Sequence, residues 1–316
     1  MRYLPGRHFL QLPGPTNTPL AVLQALAMPT IDHRGPAFGE LGLEVIAAIK
    51  GIFNTEQPVI IYPASGTGAW EAALVNTLSP GDQVLMYETG HFATLWRAIA
   101  VRLGLTPEFI PGDWGVDVSV AGSQKGLMLP PGMSFNAVSA KALTASKSAR
   151  LPRSFWDWNE FLTINKRGYF PYTPNTNLMQ AMKVAINLLH EEGLENVFAR
   201  HERAAEATRR CVQHWGFELQ CLVPAQHSPI VTGVRMPEGV SADKLRAEIL
   251  TRCNMTLGSG LGRLADTMYR IGHTGDFSDV MVTGTLSGIE MGMKALGMSY
   301  RPGGVQVAMD YLVTGK

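Results

Sequence analysis

The chain has 316 residues, 46% of them hydrophobic and 17% charged, and a formal net charge of +1 at pH 7. That near-neutral balance gives no electrostatic reason to expect nucleic acid or an anionic membrane surface as a partner. Cys211, Cys221 and Cys253 form no C-x-x-C pair and the histidines no H-E-x-x-H motif, which argues against a disulfide framework and against a metal site, and suits a reducing compartment.

No window approaches the roughly 18 consecutive apolar residues of a bilayer span. The proline-interrupted start, MRYLPGRHFLQLPGPTN, holds no apolar run long enough for a signal peptide. A cytoplasmic location is therefore the expectation.

In chain order, LPGPTNTP (12–19) predicts a loop, because two prolines flank a glycine and Thr16 and Asn17 favour turns. Helices are predicted over 20–27 and 38–53, the second from Leu41, Val45, Ala48, Ile49 and Ile52 near helical spacing. Pro58 to Pro63 is an apolar run bounded by prolines, the pattern of a buried strand. Ser65-Gly66-Thr67-Gly68 then separates that strand from a predicted helix over 69–78. Strand, glycine turn and helix start bring unpaired N–H groups and the positive end of the helix dipole together, which suits a phosphate. The same four residues also suit a tight turn with an N-cap. They lack the lysine of a P-loop, which disfavours nucleoside triphosphates.

Strand 83–87, helix 90–103 and strand 106–110 follow, with Phe92 either stacked on a planar ligand or packed in a core. After the turn Pro111–Gly115 comes the stretch VDVSVAGSQKGLMLPPG (116–132). Its alternation predicts a strand that ends in small residues and presents Gln124 and Lys125 between glycines. A lysine at the end of a dry strand has its ammonium form disfavoured, and the neutral amine is the nucleophile that condenses with aldehydes. A strand-end lysine that points to water is the competing reading.

Further on, 141–149 predicts a helix, and Phe155, Trp156 and Trp158 an aromatic patch suited to a core or a subunit contact. GYFPYTPN (168–175) is a loop before helix 178–191, and 194–215 a long amphipathic helix with Arg200, Glu202, Arg203 and Arg209 on a solvated face. From Phe217 the pattern changes to short strands (217–222, 230–236, 256–258) around helix 242–252, then a glycine turn over 258–262 and helix 278–296. In the strand Tyr269–Gly272, Arg270 is the one charged residue, so it should be paired or functional. The expected division is an N-terminal loop (1–20), a large domain (21–215) and a small α+β domain (216–316).

PGPTNTP, SGTGAWEAALVNTLSPGD, AGSQKGLMLPPG, GLENVFARH and YRIGHTGD together resemble the class V pyridoxal-phosphate aminotransferases, within the serine/alanine/aspartate–glyoxylate group. The resemblance spans nearly the whole chain. It implies the fold type I α/β architecture, with a mostly parallel large-domain sheet flanked by helices plus a smaller α+β domain. It implies pyridoxal 5′-phosphate as cofactor, a homodimer, and transfer of an amino group from serine, alanine or aspartate to glyoxylate.

Residue by residue, it makes Lys125 the Schiff-base lysine and Ser65, Gly66 and Thr67 the phosphate turn, with Gln124 a further polar contact. Phe92 takes the ring-stacking position, and Thr173 a phosphate contact given across the dimer. Arg270 becomes the substrate-carboxylate clamp, with Thr16 in the substrate-binding loop.

One departure is large. In the family, the strand whose aspartate pairs with the pyridine nitrogen stands between the 106–110 strand and the lysine strand. Here Pro111–Asp117 joins the two directly, so about two βα units of roughly 30 residues each are missing. Neither Asp113 nor Asp117 is placed to replace that aspartate. The alternative reading is therefore an impaired deletion variant that only binds the cofactor or partner subunits. A third, desulfuration or β-elimination, would call for a mobile cysteine, and Cys211, Cys221 and Cys253 lie away from these motifs.

Overall fold

A computed structural model describes residues 7–87, 91–110 and 116–315. The chain divides into two units, one of residues 19–191 and one of residues 192–316 together with the N-terminal 18. The segment β1 (Phe9–Gln11) belongs to the latter.

The first unit runs α1 (Leu20–Leu26), α2 (Pro36–Ile52), β2 (Val59–Tyr62), α3 (Gly66–Thr77), β3 (Gln83–Tyr87), α4 (His91–Arg102), β4 (Thr106–Ile110), β5 (Val118–Gly122), β6 (Ser134–Val138), α5 (Ala140–Ser146), α6 (Trp158–Asn165) and α7 (Thr176–Glu192). Helix α2 starts on a proline whose missing N–H costs nothing there. It buries Phe38, Val45 and Ile49. Its small residues admit a neighbour: a Cβ added at Gly42 would stand 1.8 Å from the Gly168 carbonyl oxygen.

The sheet of this unit is in two pieces. β2 and β5 flank β6, each antiparallel to it, while β3 and β4 form a separate parallel pair. Among the described residues, β5 is paired on one edge only. Helix α3 serves both pieces: Ala69 and Ala72 pack in the core of the three-stranded sheet, Leu74 and Val75 in that of the parallel pair. Hydrogen bonding fixes the aromatic patch to α3, for buried Asn76 donates to the Trp156 carbonyl at 2.6 Å and accepts from the Trp158 N–H at 3.0 Å.

The second unit adds α8 (Leu194–Trp215), β7 (Val231–Arg235), α9 (Ala242–Cys253), β8 (Met255–Ser259), β9 (Met268–Gly272), α10 (Asp279–Ala295) and α11 (Gly304–Thr314). Its sheet has the order β1-β8-β9-β7, with β1 parallel to β8 and the other neighbours antiparallel. The division falls at 191/192 rather than at 215. Ala207, Cys211, Val212 and Trp215 of α8 share one core with Leu257, Ile271, Leu286 and Leu312, and β1 draws the N-terminal segment in.

Several local expectations change. Residues 217–222 contribute only an isolated bridge, Leu219 to Val234. The 258–262 stretch is a close approach and no free turn, since a Cβ at Gly260 would stand 1.9 Å from the Leu264 carbonyl oxygen. The α8 arginines are not all solvated: Arg209 is buried, and half-buried Arg200 makes an ion pair of 2.6 Å with Glu192. No helix among the described residues is long and apolar enough to cross a membrane, and they hold no cluster of three or more metal-ligating side chains.

Candidate active site

Tyr62 at the end of β2 and Gly122 at the end of β5 both pair with Ser134 of β6. The two strands therefore end on one rung, separated by two interstrand spacings, about 10 Å. Three residues past that rung on one side stands Ser65, and three past it on the other stands Lys125. The register thus brings two of the predicted groups to the same end of one sheet.

On the Ser65 side, Ser65 occupies the N-cap position of α3 with extended backbone, yet its side chain makes no capping bond. Ser65 and Thr67 are exposed. A Cβ at Gly66 would meet nothing within 4 Å. Exposed hydroxyl-bearing residues, uncommitted helix-start N–H groups and open space together form a receptive anion site. The N-cap alternative is therefore not realised through the side chain.

On the other side the expected dry strand is only half-buried, because β5 is an edge. Lys125 is likewise half-buried, in the turn after it, and Gly126 is exposed, where an added Cβ would meet nothing within 4 Å, so glycines do not fence the lysine in. What holds the turn is Ser123, fully buried: its hydroxyl donates to the Pro130 carbonyl at 2.7 Å and accepts from Met133 N–H at 3.2 Å. Its backbone also accepts from Leu129 N–H and donates to Met133, and Met128, at φ +56°, donates back to the Lys125 carbonyl. Reading the sequence for nucleophiles passes over Ser123, whose task is to shape the loop.

Two buried polar atoms stand unpartnered at this end of the sheet, Gln124 Oε1 and Ser134 Oγ. A Cβ at Gly122 would lie 2.9 Å from Gln124 Oε1, so the amide oxygen curls back over the shared rung. Unpartnered buried oxygens next to an anion-receptive helix start are what a polar ligand would satisfy. These residues fit the phosphate and aldehyde ends of a pyridoxal group.

Phe92, in the first turn of α4, is 52% exposed and meets Trp70 edge-on at 6.2 Å, which overturns its reading as a core aromatic. Thr173 is exposed in the loop before α7. Asp117 sits at the opposite end of β5, where Lys141 (2.6 Å) and the Ser139 hydroxyl (2.7 Å) hold its carboxyl below the usual range. It is thus unavailable to a pyridine nitrogen at the Lys125 end, and Asp113 lies outside the described residues.

In the second unit Arg270 is half-buried on β9, and its Nε donates to the Ser259 carbonyl at 2.8 Å. Among the described residues no carboxylate pairs with it. Burial, then the neighbouring Arg246 charge, lowers its pKa. A guanidinium so placed calls for an anion. The Thr16 loop lies along this strand: a Cβ at Gly258 would meet Pro13 at 3.0 Å and Arg270 Nε at 3.3 Å, and one at Gly275 would meet Thr16 at 2.9 Å. The structure therefore groups Arg270 with the N-terminal loop.

No protein-family model matches the chain. Individual proteins do. It is 36% identical to the serine–glyoxylate aminotransferase of Methylorubrum extorquens over 98% of this chain and 96% of that protein. To the L-aspartate–glyoxylate aminotransferase of Paracoccus denitrificans it is 34% identical over 95% of each. The chain belongs to the serine/alanine/aspartate–glyoxylate group of class V pyridoxal-phosphate aminotransferases.

The crystal structure of an alanine–glyoxylate aminotransferase from Nostoc sp. superposes on this aminotransferase with a TM-score of 0.85, at 25% identity and over 92% and 96% of the two chains. The Methylorubrum alignment runs over 388 positions whereas this aminotransferase has 316 residues, so at least 72 aligned positions face gaps in it.

Burial raises the Cys211 and Cys253 thiols above their ordinary value, which disfavours the thiolate that desulfuration would need.

The second unit also carries an acid-sensitive core. His273 is buried; its Nδ1–H donates to the Pro229 carbonyl at 2.9 Å, and Nε2 accepts from the Thr232 hydroxyl at 2.9 Å. Burial pushes its pKa down to about 3. The unfolded imidazole takes a proton near 6.5, so the stabilising effect of the neutral ring is complete above that pH and lost as pH falls from 6.5 toward 3. Urea midpoints should drop over this window, by about 1.4 kcal/mol of stability per pH unit for one histidine, and His273→Gln should flatten the slope.

Proposed function

We propose that this aminotransferase moves the amino group of serine, alanine or aspartate to glyoxylate in the cytoplasm, with Lys125 as the amine that carries the cofactor aldehyde. The observation that supports this most directly is the shared rung, which sends Lys125 and the Ser65 turn out of the same end of one sheet. In this reading Ser65, Gly66 and Thr67 hold the phosphate, Gln124 adds a polar contact, and Phe92 lies against the ring. Thr173 reaches the phosphate of a second copy in a homodimer. When bound, pyridoxal phosphate supplies an aldehyde for amine exchange and a conjugated ring that delocalises the Cα electron pair.

The chain's own residues do the rest. The Lys125 amine, once displaced by the substrate amine, accepts the Cα proton and delivers it at the other end of the exchange. Thr16 borders the substrate, and Arg270 binds its carboxylate through a planar fork that an ammonium cannot reproduce. Arg270→Lys should therefore raise KM for the amino donor by about tenfold or more while changing kcat less, read from initial rates across donor concentrations. Equal loss in both constants would remove the carboxylate role.

A second reading has its own support. The sheet is in two pieces, and β4 of one is followed in sequence by β5 of the other, the point at which the resemblance would place two further βα units. A protein that binds cofactor but turns over slowly would follow from that loss. Steady-state transamination to glyoxylate with each donor, alongside the absorbance of bound pyridoxal phosphate, separates the two. Bound cofactor with a measurable rate supports the first reading, and bound cofactor without one supports the second.

A further inference from the structure

We propose that His201 is a positioning residue for the substrate carboxylate, holding the Gly275 turn against the Thr16 loop so long as its ring is neutral. The inference rests on the assignment of Arg270 and Thr16 to substrate, and adds how that side of the site is kept in shape.

His201 is buried on α8. Its Nδ1–H donates to the Val197 carbonyl at 2.6 Å, which leaves Nε2 to accept the Gly275 N–H at 3.2 Å. The preceding residue grips the same glycine through its other backbone group, for Arg200 donates to the Gly275 carbonyl at 2.9 Å. Arg200 is in turn fixed by both carboxylate oxygens of Glu192, at 2.6 and 2.9 Å, and lies 4.8 Å over the Phe277 ring, which meets His201 edge-on at 5.1 Å.

Gly275 follows Arg270 by five residues and stands at φ +86°. A side chain there would strike Thr16, and a Cβ at Gly272 would stand 2.2 Å from the Leu12 carbonyl. The N-terminal loop therefore rests on backbone between Arg270 and Gly275, and two adjacent α8 side chains fix the far end of that backbone. A backbone donor and acceptor claimed by consecutive helix residues is more than packing requires.

Protonation would undo half of the grip. With a second N–H, Nε2 would face the Gly275 N–H donor to donor, and the turn would lose its seat. The charged groups acting on the ring are Arg200 and Glu192, and the ring of His273 feels it in turn. Burial, then Arg200, keep the ring neutral, opposed by the Val197 bond and Glu192, and the pKa lies below its ordinary value. Carboxylate binding should accordingly weaken only on the acid side of the ordinary histidine range, as the ring takes up its proton.

The test measures glyoxylate affinity by titration calorimetry on the cofactor-loaded protein between pH 5.5 and 8, together with amide exchange of Gly275. His201→Gln, whose amide oxygen can accept the same N–H but cannot be protonated, should keep the pH 8 affinity and flatten the acid loss. His201→Ala should weaken glyoxylate by up to about tenfold at pH 8, the loss expected for one hydrogen bond, with little further loss in acid, and should speed Gly275 exchange. An unchanged acid profile in His201→Gln, or unchanged Gly275 exchange in His201→Ala, would overturn the role. Arg270→Ala separates the levels. If it loses glyoxylate while the His201 variants behave as wild type, only the positioning role falls; if it binds glyoxylate normally, the substrate assignment falls and this inference with it.

Discussion

Lys125→Ala is expected to lower transamination by about 10⁴-fold or more, since one amine both carries the cofactor aldehyde and moves the Cα proton. The change should leave the fold alone. Lys125 lies in a turn whose shape is set by Ser123, through bonds to Pro130 and Met133 that the substitution does not touch. The Ser65 turn is equally unaffected, so the variant should still hold the phosphate and retain part of the cofactor affinity. Stopped-flow rates and cofactor absorbance distinguish this from a folding defect. A variant with the same thermal midpoint, weakly bound cofactor and no turnover is the expected outcome, and a rate within tenfold of wild type would remove Lys125 from the chemistry.

The second large effect is structural. Gly168 stands at φ +79°, and a Cβ there would lie 1.9 Å from the Gly39 carbonyl oxygen. Across the same contact, the Gly42 position closes to 1.8 Å on Gly168 itself. Neither neighbour is a flexible side chain that could move aside; both are backbone, so α2 and the loop would have to separate. Gly168→Ala combines a left-handed backbone, which a Cβ disfavours by about 1 kcal/mol, with overpacking at roughly 1–3 kcal/mol. A loss of about 2–4 kcal/mol should appear in urea titrations. The loop it tethers carries Thr173, so cofactor affinity should fall with stability. Unchanged stability would mean that the close approach relaxes without cost.

Much of the candidate site is legible because the residues proposed for its chemistry sit in short local strings. The strand–turn–helix at Pro58–Leu78 is written in apolar, then small, then apolar residues, and it became β2, the Ser65 turn and α3. Lys125 stands out as a candidate at the break from alternating valines into small residues. The pairing of these two strings through Ser134 was not legible. β6 reads as SFNAV, polar and apolar without clean alternation, since Ser134 and Asn136 face buried positions where Asn136 is satisfied by Tyr62 and Ala69. Its place between β2 and β5 is a long-range choice that no local pattern records.

The burial of β5 was overestimated for a related reason. Valines alternate along it as in a sheet interior, but among the described residues no strand pairs with its second edge, so it is a half-exposed edge. Periodicity puts Arg200 on a solvated helix face because it sees only its own helix. The Glu192 carboxylate and the Gly275 carbonyl that claim it come from outside that helix.

The most direct measurement is reduction of the protein with borohydride in the presence of pyridoxal phosphate, followed by peptide mapping. One pyridoxyl group fixed to Lys125, and none in Lys125→Ala, is the outcome that the shared rung of β2, β6 and β5 predicts. A group found on another lysine, or no covalent adduct at all, would contradict it.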